Sequence, residues 1–60
     1  GKLGDELYPR VMQFRYENKL TPKDSLTSEK FKTLPKKSAG QLDRFYNDNE
    51  LVQLLNKLPK

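Results

Sequence analysis

The side chains that most often perform catalysis or bind metal ions are missing from this sequence. Its sixty residues include neither histidine nor cysteine, the residues that supply most general bases, activated nucleophiles and zinc ligands. The eight acidic residues fall mostly on predicted outer faces or at helix starts, as Asp5, Glu6, Asp48 and Glu50 do, where a carboxylate stabilises the helix dipole. No glycine-rich phosphate loop occurs. We therefore expect no catalytic residues, no metal site and no cofactor, and a binding function rather than an enzymatic one.

With catalysis and metal binding set aside, the lysine side chains indicate another chemical function, the binding of anions. The net charge is +4 and the isoelectric point is about 9.5, with basic side chains at Lys30 and Lys32 around Phe31 and at Lys36 and Lys37. This pattern leaves open an alternative function, a basic helical domain that contacts RNA directly. The acidic residues are interspersed, however, and no recognition helix stands out, which is typical of an ordinary solvated surface. An acidic protein or an anionic lipid surface would suit the same charge.

The length allows one domain with a small hydrophobic core. We predict a single domain over residues 1–60, and we interpret Gly1, in a chain that starts without methionine, as a residue left from cloning. No apolar run approaches the roughly 20 residues that span a bilayer, and the N-terminal residues lack the apolar stretch of a secretory signal. We therefore expect no membrane insertion and a cytoplasmic location.

Helical periodicity dominates the first third of the chain. Apolar residues recur at spacings of three and four, which predicts one buried stripe on a helix over about residues 4–17. Pro9 lies about one turn into this helix and should bend it or make its early turns irregular. The stripe consists of Leu3, Leu7, Val11 and Phe14.

Two short elements are predicted next. Residues 21–24 combine a capping hydroxyl, a proline and an acid, which favours a single turn. Thr27 and Ser28 offer a cap for a short helix that ends before Pro35, because residues preceding proline avoid helical angles. Its apolar anchors are Leu26, Phe31 and Leu34.

The last third predicts two more helices. Ser38 is a suitable N-cap for a helix that reaches about Asn47, with Ala39, Leu42, Phe45 and Tyr46 on one side. Asn47 and Glu50 resemble a capping box, and a broad apolar face follows until Pro59. No alternating β pattern is present. The predicted fold class is therefore all-α, a small module of about four helices.

Three stretches of the sequence resemble the MLLE domain, the peptide-binding module at the C-terminus of poly(A)-binding proteins. Residues 3–11 (LGDELYPRV) are similar to the family pattern L-G-E-x-L-F/Y-P, and residues 37–44 (KSAGQLDR) align with the signature K-I-T-G-M-L-L-E. Residues 49–55 (NELVQLL) align with the family's next helix. The resemblance covers about half the chain and implies a right-handed superhelix of helices.

The resemblance also implies where a peptide would bind. In the family, one pocket accepts an aromatic ring of the partner peptide, and a second pocket accepts an aliphatic side chain. Glycines at such a pocket let a flat ring approach the backbone. The alternative is that Gly4, Tyr8, Gly40 and Leu42 serve only helix packing. The peptide-binding residues implied by the resemblance are Gly4, Tyr8, Lys37, Ala39, Gly40 and Leu42.

This sequence departs from the family at several of those positions. Lys36 replaces the small residue expected before the lysine, and its side chain is expected to lie across the mouth of the aromatic pocket. Gln41, Asp43 and Arg44 replace the methionine, second leucine and glutamate of the signature. A carboxylate beside an apolar anchor would lose solvation without gaining a partner. Residues 19–35 are an insertion relative to the family. We therefore expect weak or no binding of the usual MLLE peptide motif.

Tandem MLLE domains are known among fungal RNA-binding proteins that travel on endosomes. This chain, as a divergent and shortened MLLE-like sequence, resembles one of those domains. This resemblance implies a short linear motif of an endosomal adaptor protein as the partner, bound weakly by the domain alone. It also implies other MLLE domains in the same chain, RNA bound through other domains of the parent protein, and a location on transport endosomes through the adaptor.

Overall fold

The computed structural model describes residues 2–58, and every regular element in that range is helical. In chain order, these elements are a 3-10 turn at Gly4–Glu6, helix α1 at Leu7–Glu17, helix α2 at Ser28–Lys32, a 3-10 segment at Ala39–Arg44 and helix α3 at Asp48–Lys57. The predicted all-α fold class is confirmed, since no residue between 2 and 58 lies in a strand. The 3-10 segment at Ala39–Arg44 is called the Gly40 segment below.

Helix α1 and the turn before it occupy the range predicted for the first helix. Pro9 is the third residue of α1, where a missing N–H costs little because the first-turn donors have no partner inside the helix. The chain begins as a 3-10 turn and then widens into the α-helix, which is the irregular start that Pro9 predicted. Val11 and Phe14 are completely buried and carry the predicted stripe into the core.

The turn and the helix cap predicted after α1 both form. In the turn at residues 21–24, the Thr21 backbone N–H donates to the Asp24 carboxylate at 2.6 Å, and the Asp24 N–H donates to the Thr21 carbonyl at 3.1 Å. Helix α2 begins at its predicted cap, where the Thr27 hydroxyl accepts a hydrogen bond from the Lys30 N–H at 3.1 Å.

Residues 19–35, the stretch predicted to be an insertion, contribute to the hydrophobic core. The Phe31 ring stacks on the Phe14 ring of α1 with 6.2 Å between centroids. Leu26 and Leu34, the other predicted anchors, are also buried. Because these side chains fill the space beside α1, the segment is an integral part of the domain rather than an added surface loop.

The helix predicted from Ser38 to about Asn47 forms only in part, as the Gly40 segment. Left-handed backbone angles at Gly40 (φ +70°) and Gln41 (φ +56°) interrupt it, and a continuous right-handed α-helix cannot contain them. The Ser38 hydroxyl makes no cap hydrogen bond and donates to the Asp43 carboxylate at 2.9 Å. The two left-handed residues therefore divide what the pattern predicted as one helix.

Helix α3 forms as predicted. The Asn47 side chain accepts from the Glu50 N–H at 2.8 Å, and the Glu50 carboxylate accepts from the Asn47 N–H at 2.9 Å, which completes the capping box. The helix ends at Lys57, and Leu58 has an extended backbone, as expected for a residue before proline. The predicted stop at Pro59 lies outside the described residues.

The core forms where the three α-helices and the Gly40 segment meet. The Gly40 segment packs against both α1 and α3, and α2 packs against α3 and, through the Phe31 ring, against α1. The right-handed superhelix implied by the resemblance stays a prediction. The buried apolar side chains are Val11, Phe14, Leu26, Phe31, Leu34, Leu42, Leu51 and Leu55.

Candidate functional site

The first predicted site residues, Gly4 and Tyr8, are exposed at the start of α1. Gly4 has φ +54°, and a side chain there would meet no atom within 4 Å. Its backbone angle favours glycine even though the space around it is open. The Tyr8 side chain is 52% exposed. This end of α1 therefore presents an open backbone and an accessible aromatic ring.

Gly40 lies at the closest approach between the Gly40 segment and α1. A Cβ atom on Gly40 would lie 2.5 Å from the Arg10 carbonyl oxygen. The Arg10 guanidinium donates to the Gly40 carbonyl at 3.3 Å and lies 5.6 Å from the centre of the Phe45 ring. Leu42 is completely buried in the core. Both Gly40 and Leu42 therefore have packing roles, whatever else they contact.

Gly40 contacts α1 at Arg10, two residues after Tyr8. At about 100° per residue, the Arg10 and Tyr8 side chains leave the helix axis about 160° apart. The resemblance assigns both Tyr8 and Gly40 to the site for an aromatic ring, and this assignment stays a prediction.

The Gly40 segment borders a shallow depression of about 250 Å³. Its lining residues are Arg10, Gln13, Gly40 and Gln41, so its walls are mostly polar. Such a surface offers hydrogen bonds to a peptide backbone but little apolar area for a buried side chain.

The other residues assigned to the site, or altered in it, lie mostly on the surface. Lys37, Asp43 and Arg44 are exposed, and Ala39 is half-buried. The Asp43 carboxylate accepts a hydrogen bond from the Ser38 hydroxyl at 2.9 Å. Lys36 borders a different depression together with Tyr16, and its expected position at the mouth of the aromatic pocket stays a prediction.

Sequence reasoning missed Arg15, which is 2% exposed. Its guanidinium donates to backbone carbonyls of two separate regions. In the turn after α1 these are Thr21 at 2.8 Å and Asp24 at 3.3 Å. At the C-terminal end of α3 they are Leu55 and Leu58, the latter at 3.1 Å. A cation at a helix C-terminus also stabilises the helix dipole. Arg15 therefore ties the turn to α3.

The environment of Arg15 changes the affinity of its guanidinium for protons. Burial lowers the pKa of Arg15, while the nearby Asp24 carboxylate acts in the opposite direction. An arginine side chain remains charged throughout the physiological range. Its charge is consequently held inside the domain by backbone carbonyl groups.

Two asparagines were also missed, and both pair with backbone groups. The Asn18 amide donates to the carbonyls of Phe14 and Lys36 at 2.9 Å each, and its oxygen accepts from the Lys36 N–H at 2.9 Å. The Asn56 side-chain oxygen accepts from the Leu26 N–H at 2.7 Å, and the Asn56 amide donates to the Leu26 carbonyl at 2.8 Å. Asparagine and arginine are usually exposed, and the only signal in the sequence is that Arg15 and Asn18 flank the apolar stripe of α1.

The part of the chain that the structure describes contains no group of three or more acidic residues placed to hold a metal ion. Between residues 2 and 58, no helix is both long enough and apolar enough to cross a bilayer.

Comparison with known proteins finds no matching family model, no matching curated sequence and no matching solved structure. The likeness to MLLE domains therefore depends on the three short stretches of sequence described above.

Proposed function

We propose that this domain is a non-catalytic protein-interaction module of divergent MLLE type, which binds a short linear motif of another protein. The observation that supports this proposal is the contact between Gly40 and Arg10. It brings together the first two stretches of sequence that resemble the family, residues 3–11 and 37–44, although about 30 residues separate Arg10 and Gly40 in the chain.

The polar character of this contact region supports weak binding of the usual MLLE motif. Gln41 and Asp43 are exposed where the family has apolar residues, and Arg10 and Gln13 line the other wall of the depression. A peptide side chain that is buried completely contributes about 1.5 to 3 kcal/mol. A depression that cannot bury one forgoes most of that contribution.

The proposed biological role follows from weak binding. The domain acts as an accessory site in a multi-domain RNA-binding protein, in which other domains bind mRNA and further MLLE domains bind the same adaptor. A weak module adds to attachment because its effective concentration is high within one chain. The proposed location is the cytoplasm, on transport endosomes through the adaptor.

Isothermal titration tests the proposal directly. The native domain and a triple variant, Gln41→Met, Asp43→Leu and Arg44→Glu, are titrated with a peptide that carries the aromatic-containing MLLE motif. We expect little heat from the native domain and measurable binding by the variant, because the variant restores the apolar signature residues. Circular dichroism shows whether both are folded.

A matched variant separates the signature from a general gain of apolar surface. Gln53→Met, Asp48→Leu and Lys23→Glu make the same changes in apolar surface and charge at exposed positions outside residues 37–44 and away from the depression. Binding by the signature variant alone supports the proposal. A folded signature variant that stays silent, or equal binding by both variants, would remove its basis.

A further inference from the structure

We infer a second binding surface, at the C-terminal end of α1, which takes a single-stranded nucleic acid. The surface is an open depression of about 710 Å³ lined by Gln13, Tyr16, Glu17, Lys19 and Lys36. Tyr16 is 83% exposed, more than the other exposed tyrosine, Tyr8, at 52%. It is called the Tyr16 surface below.

Backbone hydrogen bonds hold the parts of the Tyr16 surface in place. Lys19 has a left-handed backbone (φ +58°), and its N–H donates to the Tyr16 carbonyl at 3.2 Å. The backbone of Lys36 is fixed by its two hydrogen bonds to the buried Asn18. The backbones that carry Tyr16, Lys19 and Lys36 are thus held side by side before any ligand arrives, which reduces the entropic cost of binding.

The charges of the surface favour an anion. Lys19 and Lys36 provide two ammonium groups, and Glu17 provides one carboxylate. The Glu17 carboxylate accepts a hydrogen bond from the Gln13 amide at 2.8 Å and is thereby directed toward its own helix, and the two ammonium groups leave the surface with a net positive charge. The domain as a whole carries a net charge of +4, which attracts a polyanion from a distance.

The shape and composition distinguish a nucleic acid from a peptide. No aliphatic side chain lines the Tyr16 surface, whereas peptide-binding grooves hold apolar anchors or extend a sheet edge. An exposed aromatic ring beside lysines instead matches the way proteins bind single strands, with a base stacked on the ring and phosphates near the cations. We therefore assign Tyr16 to base stacking and Lys19 and Lys36 to phosphate contacts.

Fluorescence anisotropy with a labelled oligouridine of about ten nucleotides tests this assignment at low salt. Tyr16→Ala should weaken binding by about 5- to 100-fold, and Tyr16→Phe should retain most of it, because stacking needs the ring and not the hydroxyl. Tyr8→Ala is the matched control, since Tyr8 is also exposed on α1 but lies about 12 Å away along the helix axis. Equal effects of Tyr16→Ala and Tyr8→Ala, or no binding by the native domain, would overturn the inference.

The salt dependence tests the two lysines. Replacing Lys19 and Lys36 with Gln should lower the slope of log affinity against log salt by about 1.4, because each phosphate contact to a single strand contributes about 0.7. The control replaces Lys23 and Lys57, exposed lysines that do not line the surface, and makes the same change in net charge. If the control lowers the slope as much, general charge attraction explains the binding and the assignment fails.

A labelled peptide of alternating glutamate and tyrosine, titrated directly in the same anisotropy assay, tests the other class of polyanion. If this peptide binds with the same dependence on Tyr16 while oligouridine does not bind, the partner is an acidic protein and the inference is wrong. Tyr16, Lys19 and Lys36 lie outside the three stretches that resemble MLLE domains, so the peptide titration and this experiment can fail independently.

Discussion

The Asn18 side-chain amide, at the end of α1, makes two hydrogen bonds of 2.9 Å each with the backbone N–H and carbonyl of Lys36, before the Gly40 segment. Asn18 is only 6% exposed, and its amide group completes the backbone pairing of Lys36 as a neighbouring chain would. This pair closes the loop formed by residues 19–35 and sets the position from which the Gly40 segment crosses α1.

The first prediction concerns this pair. Asn18→Ala removes three side-chain hydrogen bonds and leaves the backbone groups of Lys36 without their partner, so the free energy of unfolding should fall by about 2 kcal/mol. Urea unfolding followed by circular dichroism measures the change. Asn49→Ala is the control, because Asn49 is an exposed residue of α3, and it should change stability by less than about 0.5 kcal/mol. A similar loss in both variants would contradict the role of the pair.

The second prediction concerns Arg15. Arg15→Met keeps a long apolar stem but removes the donors to four backbone carbonyls, so we expect a loss of about 2 to 4 kcal/mol. A domain of this size has only a few kcal/mol of net stability, so much of the variant should be unfolded at 25 °C. Thermal unfolding by circular dichroism tests this, with Arg44→Met as the exposed control. Near-native stability of Arg15→Met would show that packing of the stem, not the guanidinium, is what the fold needs.

Local signals in the sequence predicted two helices well. Thr27 marked the start of α2, and the Asn47–Glu50 capping box marked the start of α3, because in each case the side chain and its backbone partner are three residues apart. Both partners of such a cap lie within one helical turn. The start of the helix can therefore be predicted from the local sequence alone.

The remaining features depend on distant partners. Ala39, Leu42 and Phe45 are three residues apart, a spacing that fits a 3-10 helix as well as one face of an α-helix. The contact of Gly40 with Arg10, 30 residues away, accompanies the 3-10 form that the structure adopts. Arg15 could not be identified as buried for the same reason, since its carbonyl partners at the C-terminal end of α3, Leu55 and Leu58, lie 40 and 43 residues away.

The third prediction concerns pH. Hydrogen bonds from Thr21 lower the pKa of Asp24, and the cations Lys30 and Arg15 lower it further, while desolvation acts in the opposite direction. A carboxyl group with a lowered pKa in the folded state stabilises the fold above its ordinary pKa of about 3.9, and this contribution is lost as the pH falls through the folded pKa. Asp24→Asn should therefore be less stable than the native domain at pH 7, and the difference should shrink below about pH 4. Urea unfolding from pH 7 to pH 2 measures the stability of the native domain and of the variant. A difference in stability that does not change with pH would show that the Asp24 charge does not cause it.

The fourth prediction compares the two glycines with left-handed backbones. Gly4→Ala places a methyl group in open space, so it should cost only the strain of the backbone angle, about 1 to 2 kcal/mol. Gly40→Ala carries the same strain and also forces a Cβ to within 2.5 Å of the Arg10 carbonyl oxygen, so α1 and the Gly40 segment must separate, at a total cost above about 3 kcal/mol. Urea unfolding of the two variants side by side isolates the contact, because the change in residue is identical. A Gly40→Ala variant no less stable than Gly4→Ala would show that the contact can relax, and the groove between α1 and the Gly40 segment would then be adjustable rather than fixed.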